Sequence, residues 1–456
     1  MFDRALIFAL LSLTCGGRLS PKTWIQDPIV QSSVYNAGEI LADTIDAITK
    51  LPTAFANITG LAYINLPVLG NQRNINDLID KFITDFKAHQ DNEDATLNIV
   101  QLAFKYGYTM ETHTVETEDG YLVTMHRIPN NGPVILLMHG LFGSSDDFVI
   151  AGSESGIAYL LSKEGYDIWI GNARGNKHSR HHIRLDPSKP KFWNFSWHEI
   201  GYYDLPSMID YALGVSNSST LKYIGHSQGS TAFFVMASER EEYNKKVTLM
   251  VALSPVAFMG KIKSPLVRLL APASSFIDSI TSSIGLYEIL PDSRLIRVFT
   301  RLICGSGPVV EILCNNILFL SVGFDLAQLN VTNLPVIFGH LPSGGSSKQM
   351  IHFLQNVVSK EFRKYNYGMK RNLKQYGSRT PPKYALHRVT APVSLFYSDS
   401  DWLAHPDDVD LLYNKLPNAI DIYKIPLHTF NHLDFILAKD LKILIYKRLR
   451  KLLSFF

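Results

Sequence analysis

Ser227 sits in the run Lys222-Tyr223-Ile224-Gly225-His226-Ser227-Gln228-Gly229-Ser230, a glycine-flanked serine between a strand pattern and a helix start. A G-x-S-x-G turn of this kind lifts the hydroxyl above the end of a sheet, where it can act as a nucleophile. Gly225 and Gly229 matter because a Cβ at either position would collide where strand and helix cross. A serine nucleophile needs a histidine base and a carboxylate to orient it, both on loops just beyond strands. The strand pattern 392–397 is followed by Ser398-Asp399-Ser400-Asp401-Trp402, and 420–425 by Pro426-Leu427-His428-Thr429-Phe430-Asn431-His432. The candidates are therefore Asp399 or Asp401, and His428 or His432; placement favours Asp401 and His432. The oxyanion of an ester intermediate needs two backbone N–H donors. One is expected from Gln228, the residue after the nucleophile. The other is expected from Leu141, in the run His139-Gly140-Leu141-Phe142-Gly143 after the strand ending at Met138.

The elements that must position these groups alternate in type. Thr109 to Glu116 and Leu122 to Ile128 read as a hairpin about Asp119-Gly120. Strands are expected at Pro133 to Met138, Tyr166 to Ile170, Leu221 to Ile224 and Met250 to Leu253. Helices lie between, one over 95–106 capped by Asp94, and one over Leu205 to Leu213 with Asp204 as its N-cap. This rhythm calls for an α/β fold, a mostly parallel sheet with helices on both faces. It breaks after Pro255 and resumes near Pro392, so residues 256–382 read as a cap of helices and irregular loops inserted into the sheet. Residues 95–255 and 383–456 form the core. Residues 21–94 are an N-terminal extension of unclear role, in which Ile75, Leu78, Ile79, Phe82, Ile83 and Phe86 repeat at helical spacing.

The chain has 456 residues, 46% hydrophobic and 19% charged, with a net charge of +3, too small to imply a nucleic-acid partner. Residues 1–20 read as a signal peptide: Arg4, an apolar run from Ala5 to Leu13, then small residues at Cys15-Gly16-Gly17. No later stretch is apolar enough to span a bilayer. Cleavage would leave Cys304 and Cys314, close enough in sequence to favour a disulfide in an exported chain. Sequons at Asn57, Asn194, Asn217 and Asn330 agree with export. His178, His181 and His182 read as a solvated loop, His226 as a packing residue, and 441–456 as a last helix packed on the domain or, alternatively, a surface that meets lipid. No metal and no cofactor are expected.

Many ordered motifs then resemble the acid lipase family of α/β-hydrolases, the gastric and lysosomal acid lipases and their insect relatives. They include Thr117-Glu118-Asp119-Gly120-Tyr121, Gly171-Asn172-Ala173-Arg174-Gly175-Asn176, Tyr203-Asp204-Leu205-Pro206, Leu253-Ser254-Pro255-Val256-Ala257, Asp401-Trp402-Leu403-Ala404 and Asn431-His432-Leu433-Asp434-Phe435. The resemblance implies an α/β-hydrolase fold, a triad of Ser227, Asp401 and His432, an oxyanion hole of Leu141 and Gln228, a helical cap with a lid over residues 256–382, and a bond between Cys304 and Cys314 within that cap. It implies a secreted or lysosomal enzyme acting on esters of neutral lipids, triacylglycerols and in some members cholesteryl esters, at an oil–water or membrane interface. Asp399 and His405 depart from the family pattern, which usually has a glycine and an aspartate there. The alternatives are an esterase for short soluble esters, or a lipid-binding protein that keeps the fold without catalysis.

Overall fold

The computed structural model describes residues 92–290 and 322–456, apart from 324 and 326. The expected signal peptide, the amphipathic stretch 75–89, Asn57, Cys304 and Cys314 lie outside the described residues.

Strand β1 (Glu111–Glu116) and strand β2 (Tyr121–Ile128) form the expected antiparallel hairpin. The chain continues through β3 (Val134–Met138), β4 (Asp167–Gly171), the short β5 (His181–His182), β6 (Leu221–His226) and β7 (Val247–Leu253). A small ribbon of β8 (Glu288–Ile289) and β9 (Gly345–Ser346) follows, then β10 (Val393–Tyr397) and β11 (Ala419–Lys424). The main sheet has the order β1-β2-β4-β3-β6-β7-β10-β11, with β5 paired to β2. All pairings from β4 across to β11 are parallel. Strand β3 is the run Val-Ile-Leu-Leu-Met, buried at every position, as expected for a strand covered on both faces. Edge strand β11 is only half-buried and mixes Ile420 and Ile422 with Asp421 and Lys424. Between β7 and β10 the described chain adds helices and the β8–β9 ribbon but no strand to the main sheet. Among the described residues no helix is long and apolar enough to cross a membrane.

Two expected helix caps are placed differently. The first helix is Ile99–Lys105, and its capping box is made by Asn98 and Gln101. Asp94 instead binds the Lys105 ammonium at 2.6 Å and accepts from the Tyr106 hydroxyl, a pairing that no local spacing encodes. The helix expected to begin after Asp204 starts earlier, at Trp197, and runs through a π-helical turn at Ile200–Asp204. Asp204 makes no cap bond because its carboxylate is taken by Arg174. Arg174 Nε donates to Asp204 Oδ1 at 2.8 Å, its backbone N–H to Oδ2 at 3.0 Å, and Nη2 to Asp119 Oδ1 at 2.8 Å. Its guanidinium also stacks 4.0 Å from the Tyr121 ring centroid.

Arg174 thus ties the loop after β4 to the hairpin and to the long helix while almost wholly buried. Removing one partner of such a pair strands a charge in a medium of low dielectric. Arg174→Met should therefore destabilise the fold by about 3–5 kcal/mol. Urea unfolding followed by tryptophan fluorescence would measure this, and a midpoint close to wild type would overturn the assignment of this pair as a structural tie.

Candidate functional site

Strand β6 ends at His226, and the helix Gln228–Glu239 starts one residue after Ser227. Ser227 bridges them with φ 52°, ψ −117°, a conformation that L-residues rarely adopt. The turn closes that tightly only because its flanking residues lack side chains. A Cβ on Gly229 would stand 2.3 Å from the Met138 carbonyl oxygen, and one on Gly225 2.7 Å from the Gly229 carbonyl carbon.

The loops after β10 and β11 bring the other groups in. His432 Nε2 faces Ser227 Oγ at 2.8 Å, and His432 Nδ1 lies 2.9 Å and 3.0 Å from the two Asp401 oxygens. All three side chains are buried. The two alternatives left open by spacing are elsewhere, paired with each other. Asp399 Oδ2 is 3.0 Å from His428 Nδ1 and 2.7 Å from Lys424 Nζ, and the His428 side chain is 91% exposed. A base in bulk water with no hydroxyl beside it has nothing to deprotonate.

Asp401 also accepts on Oδ1 from the backbone N–H of Leu403 at 2.9 Å and Ala404 at 2.8 Å. Burial alone would push its carboxyl up. The His432 ring, the Ser254 hydroxyl and the Ala404 N–H outweigh burial and hold it below the usual carboxylate range. An ionised Asp401 accepts the Nδ1 proton and leaves Nε2 free to take one from Ser227.

Two contributors were not visible from spacing. Ser254, at the end of β7 with φ 54°, donates its hydroxyl to Asp401 Oδ2 and lies 2.5 Å from His432 Nδ1. The positive φ at a non-glycine residue turns its side chain to the pair. In the sequence it was only part of a Leu-Ser-Pro motif. His226, expected to be mere packing, donates from Nε2 to the His432 carbonyl at 2.9 Å and so pins the loop that carries the base. Burial, then the neighbouring His432, lowers its pKa to about 3, so it stays neutral.

The loop after β3 is held by His139. Its Nδ1–H donates to the Gly140 carbonyl at 2.8 Å, and its Nε2 accepts from the Ala173 N–H at 3.0 Å. Burial lowers its pKa to about 4, which keeps Nε2 an acceptor. A Cβ on Gly140 would lie 3.2 Å from the Ser227 Cβ, so the loop passes directly over the serine. No acceptor for the Leu141 or Gln228 backbone N–H is found among the described residues. Of the other histidines, His178 is not simply solvated: its Nε2 lies 2.8 Å from Asp146, a carboxylate that also binds His340 and Lys177. His181 and His182 are strand β5. No group of three or more side chains suited to a metal occurs among the described residues.

Ser254 orients the buried pair without reaching the reacting oxygen. A hydrogen bond to a charged group is worth about 1.5–3 kcal/mol. Ser254→Ala should therefore lower kcat by about ten- to a hundredfold on a soluble ester with KM nearly unchanged. A kcat within twofold of wild type would remove Ser254 from this role.

Two buried carboxyls bias stability toward acid. Burial, then the Asp325 and Asp401 charges against the opposing Asn431 N–H, raises Asp434 to about 8; burial, chiefly, raises Asp147 to about 7. In the unfolded chain both ionise near pH 4. Between pH 4 and these raised values the folded state holds more protons on these two groups, so the stability they contribute is greatest near pH 4 and falls as pH rises to 8. Asp434→Asn should remove part of that contribution, so its thermal midpoint relative to wild type should rise by several degrees between pH 5 and pH 8. A difference from wild type that stays constant between those pH values would contradict the assignment.

Comparison with known proteins follows this geometry. A family model described as a partial α/β-hydrolase lipase region matches residues 99–152, and an α/β hydrolase fold model matches 133–271. Lipase 1 of Drosophila melanogaster is 43% identical over 364 residues, 79% of this chain and 81% of that protein. The gastric triacylglycerol lipase of Bos taurus is 36% identical over 373 residues, 80% of this chain and 92% of that protein. The crystal structure of a Sulfolobus solfataricus lipase candidate superposes with TM-score 0.51 at 12% identity, over 76% of this chain and 93% of that one, a likeness of fold. With relatives this similar over this much of its length, the chain belongs to the acid lipase family of α/β-hydrolases and is a serine ester hydrolase of lipase type.

Proposed function

We propose that this lipase hydrolyses triacylglycerols through an acyl-enzyme on Ser227, with His432 as base and Asp401 as its orienting carboxylate. The observation that carries the reading is the unbroken line from Ser227 Oγ to His432 Nε2 at 2.8 Å and from His432 Nδ1 to Asp401 at 2.9 Å. The substrate class is supported by the relatives, one of which is named a gastric triacylglycerol lipase. As Oγ attacks the ester carbonyl, its proton passes to His432 Nε2. Asp401 keeps the other ring nitrogen protonated and stabilises the imidazolium. The Leu141 and Gln228 N–H groups receive the oxyanion. On collapse, Nε2 gives its proton to the leaving glyceride alcohol. Water, activated by the same nitrogen, then frees the fatty acid and restores Ser227.

In this reading residues 256–382 cap the site, Cys304 and Cys314 bond within the cap, and cholesteryl esters are a second substrate. The chain enters the secretory pathway behind residues 1–20 and is glycosylated at Asn57, Asn194, Asn217 and Asn330. The exposure of Asn194 and Asn217 supports that modification.

Ser227→Ala should abolish hydrolysis of a long-chain triacylglycerol emulsion and labelling by a fluorophosphonate while leaving the circular dichroism unchanged. Asp401→Asn should lower kcat by about 10⁴-fold, the scale seen when a triad histidine loses its tautomer partner. Undiminished emulsion hydrolysis by Ser227→Ala would refute the mechanism. A wild-type enzyme that hydrolyses dissolved short esters but shows no rise at an oil–water interface would favour a soluble-ester esterase.

A further inference from the structure

Residues 362–398 contain eight Lys or Arg and no Asp or Glu. The helix Met369–Tyr376 lies within that stretch, and only Asn372 of its residues is buried. Asn372 anchors it: its Oδ1 accepts from the Tyr367 N–H at 2.9 Å, and its Nδ2 donates to Asn366 Oδ1 at 2.7 Å and to the Arg379 carbonyl at 2.9 Å. Held on that side, the helix presents the other outward. At a spacing of four, Met369 and Leu373 form one stripe and Lys370 and Lys374 the next. Met369 is 60% and Leu373 46% exposed. Some cations of the stretch do find carboxylates: Lys364 with Glu239, Lys383 with Glu361 and Arg388 with Glu241. Lys370, Arg371, Lys374 and Arg379 have no carboxylate within ion-pairing distance among the described residues.

A solvated charged face gains nothing from two exposed apolar side chains in register beside its cations. A surface that meets lipid does. Methionine and leucine enter the acyl boundary, while the ammonium and guanidinium groups remain at the anionic headgroups. We propose that the helix Met369–Tyr376, with Arg379, docks this enzyme on an anionic lipid–water interface. The inference rests on the lipase reading above and adds to it a contact separate from the ester-cleaving residues. The occupant is selected by charge: four cations unpaired among the described residues, and no acid in the stretch, favour a negative surface over a zwitterionic one. Lipolysis itself generates such a surface, since each turnover leaves a fatty acid whose carboxylate, once ionised, adds negative charge to the interface.

The test uses the full chain carrying Ser227→Ala, so that the lipid is not consumed. Sedimentation is compared on vesicles of phosphatidylcholine alone and of phosphatidylcholine mixed with phosphatidylglycerol. The parent should prefer the mixed vesicles, and high salt should erase the preference. K370E/R371E/K374E should bind the mixed vesicles at least about tenfold more weakly, given the attraction contributed by each basic residue near such a surface. M369S/L373S should bind them several-fold more weakly. Equal binding of parent and charge-reversed protein would overturn the proposal, as would equal binding of the parent to both vesicle types. Retention on heparin with no vesicle binding would replace the lipid with an acidic polysaccharide and also overturn it. In the Ser227 background the same substitutions should leave hydrolysis of dissolved p-nitrophenyl acetate unchanged, which shows the fold is intact. If wild type itself fails on that ester while vesicle binding persists, the hydrolytic reading falls and the docking surface stands.

Discussion

The structure depends on one strained residue. Ser227 occupies a backbone conformation that costs on the order of 1–3 kcal/mol, and the surroundings must hold it there. Its N–H donates to the Leu253 carbonyl at 3.0 Å, and its carbonyl accepts from Ser230 N at 2.9 Å. The next strand and the next helix are therefore both bonded to the turn itself. The glycines on either side let β3, β6 and the elbow helix approach to backbone distance. A rigid parallel sheet makes this possible, because β6 is flanked by β3 and β7 along its length and cannot relax.

Several of the polar groups around the serine are buried against fixed partners. Asp401 is satisfied by His432, Ser254 and two backbone N–H groups, and His226 and His139 each spend a ring nitrogen fixing a neighbouring carbonyl. Burial keeps both of these histidines neutral, so they position backbone without adding charge beside the base. Low dielectric strengthens each of these bonds and penalises any unpaired member, so the arrangement resists small displacements. Arg174 applies the same logic in the loop after β4, where a buried cation is met by two carboxylates. Function and stability share one rule here: charge is taken out of water only against a geometrically fixed partner.

Much of the fold was legible because it is written in local patterns. A continuous apolar run marked β3, shorter apolar segments marked β4, β6 and β7, and the alternating run about Asp119-Gly120 marked the hairpin. The errors fell where a side chain had a distant partner. Asp94 and Asp204 have the right type and place to cap a helix, yet each is drawn off by a cation, Lys105 or Arg174. A cap contributes about 1 kcal/mol, less than leaving a buried guanidinium unpaired would cost. His178 was misread for the same reason, since its partner Asp146 lies 32 residues away in the chain.

By itself, the sequence determined which residues could do chemistry. A serine between glycines at a strand-to-helix junction, and acids and histidines just past two later strands, follow from motif and periodicity alone. Only the tertiary structure shows which of them lie beside Ser227. Asp399 and Asp401 are two residues apart and His428 and His432 four, so spacing treats them nearly alike. The path of each loop turns one of each pair into the protein beside Ser227 and the other toward Lys424 and water. The bridging role of Ser254 and the anchoring role of His226 belong to the same class. Both depend on where β7 and β11 end relative to β6, a long-range register that no local pattern contains.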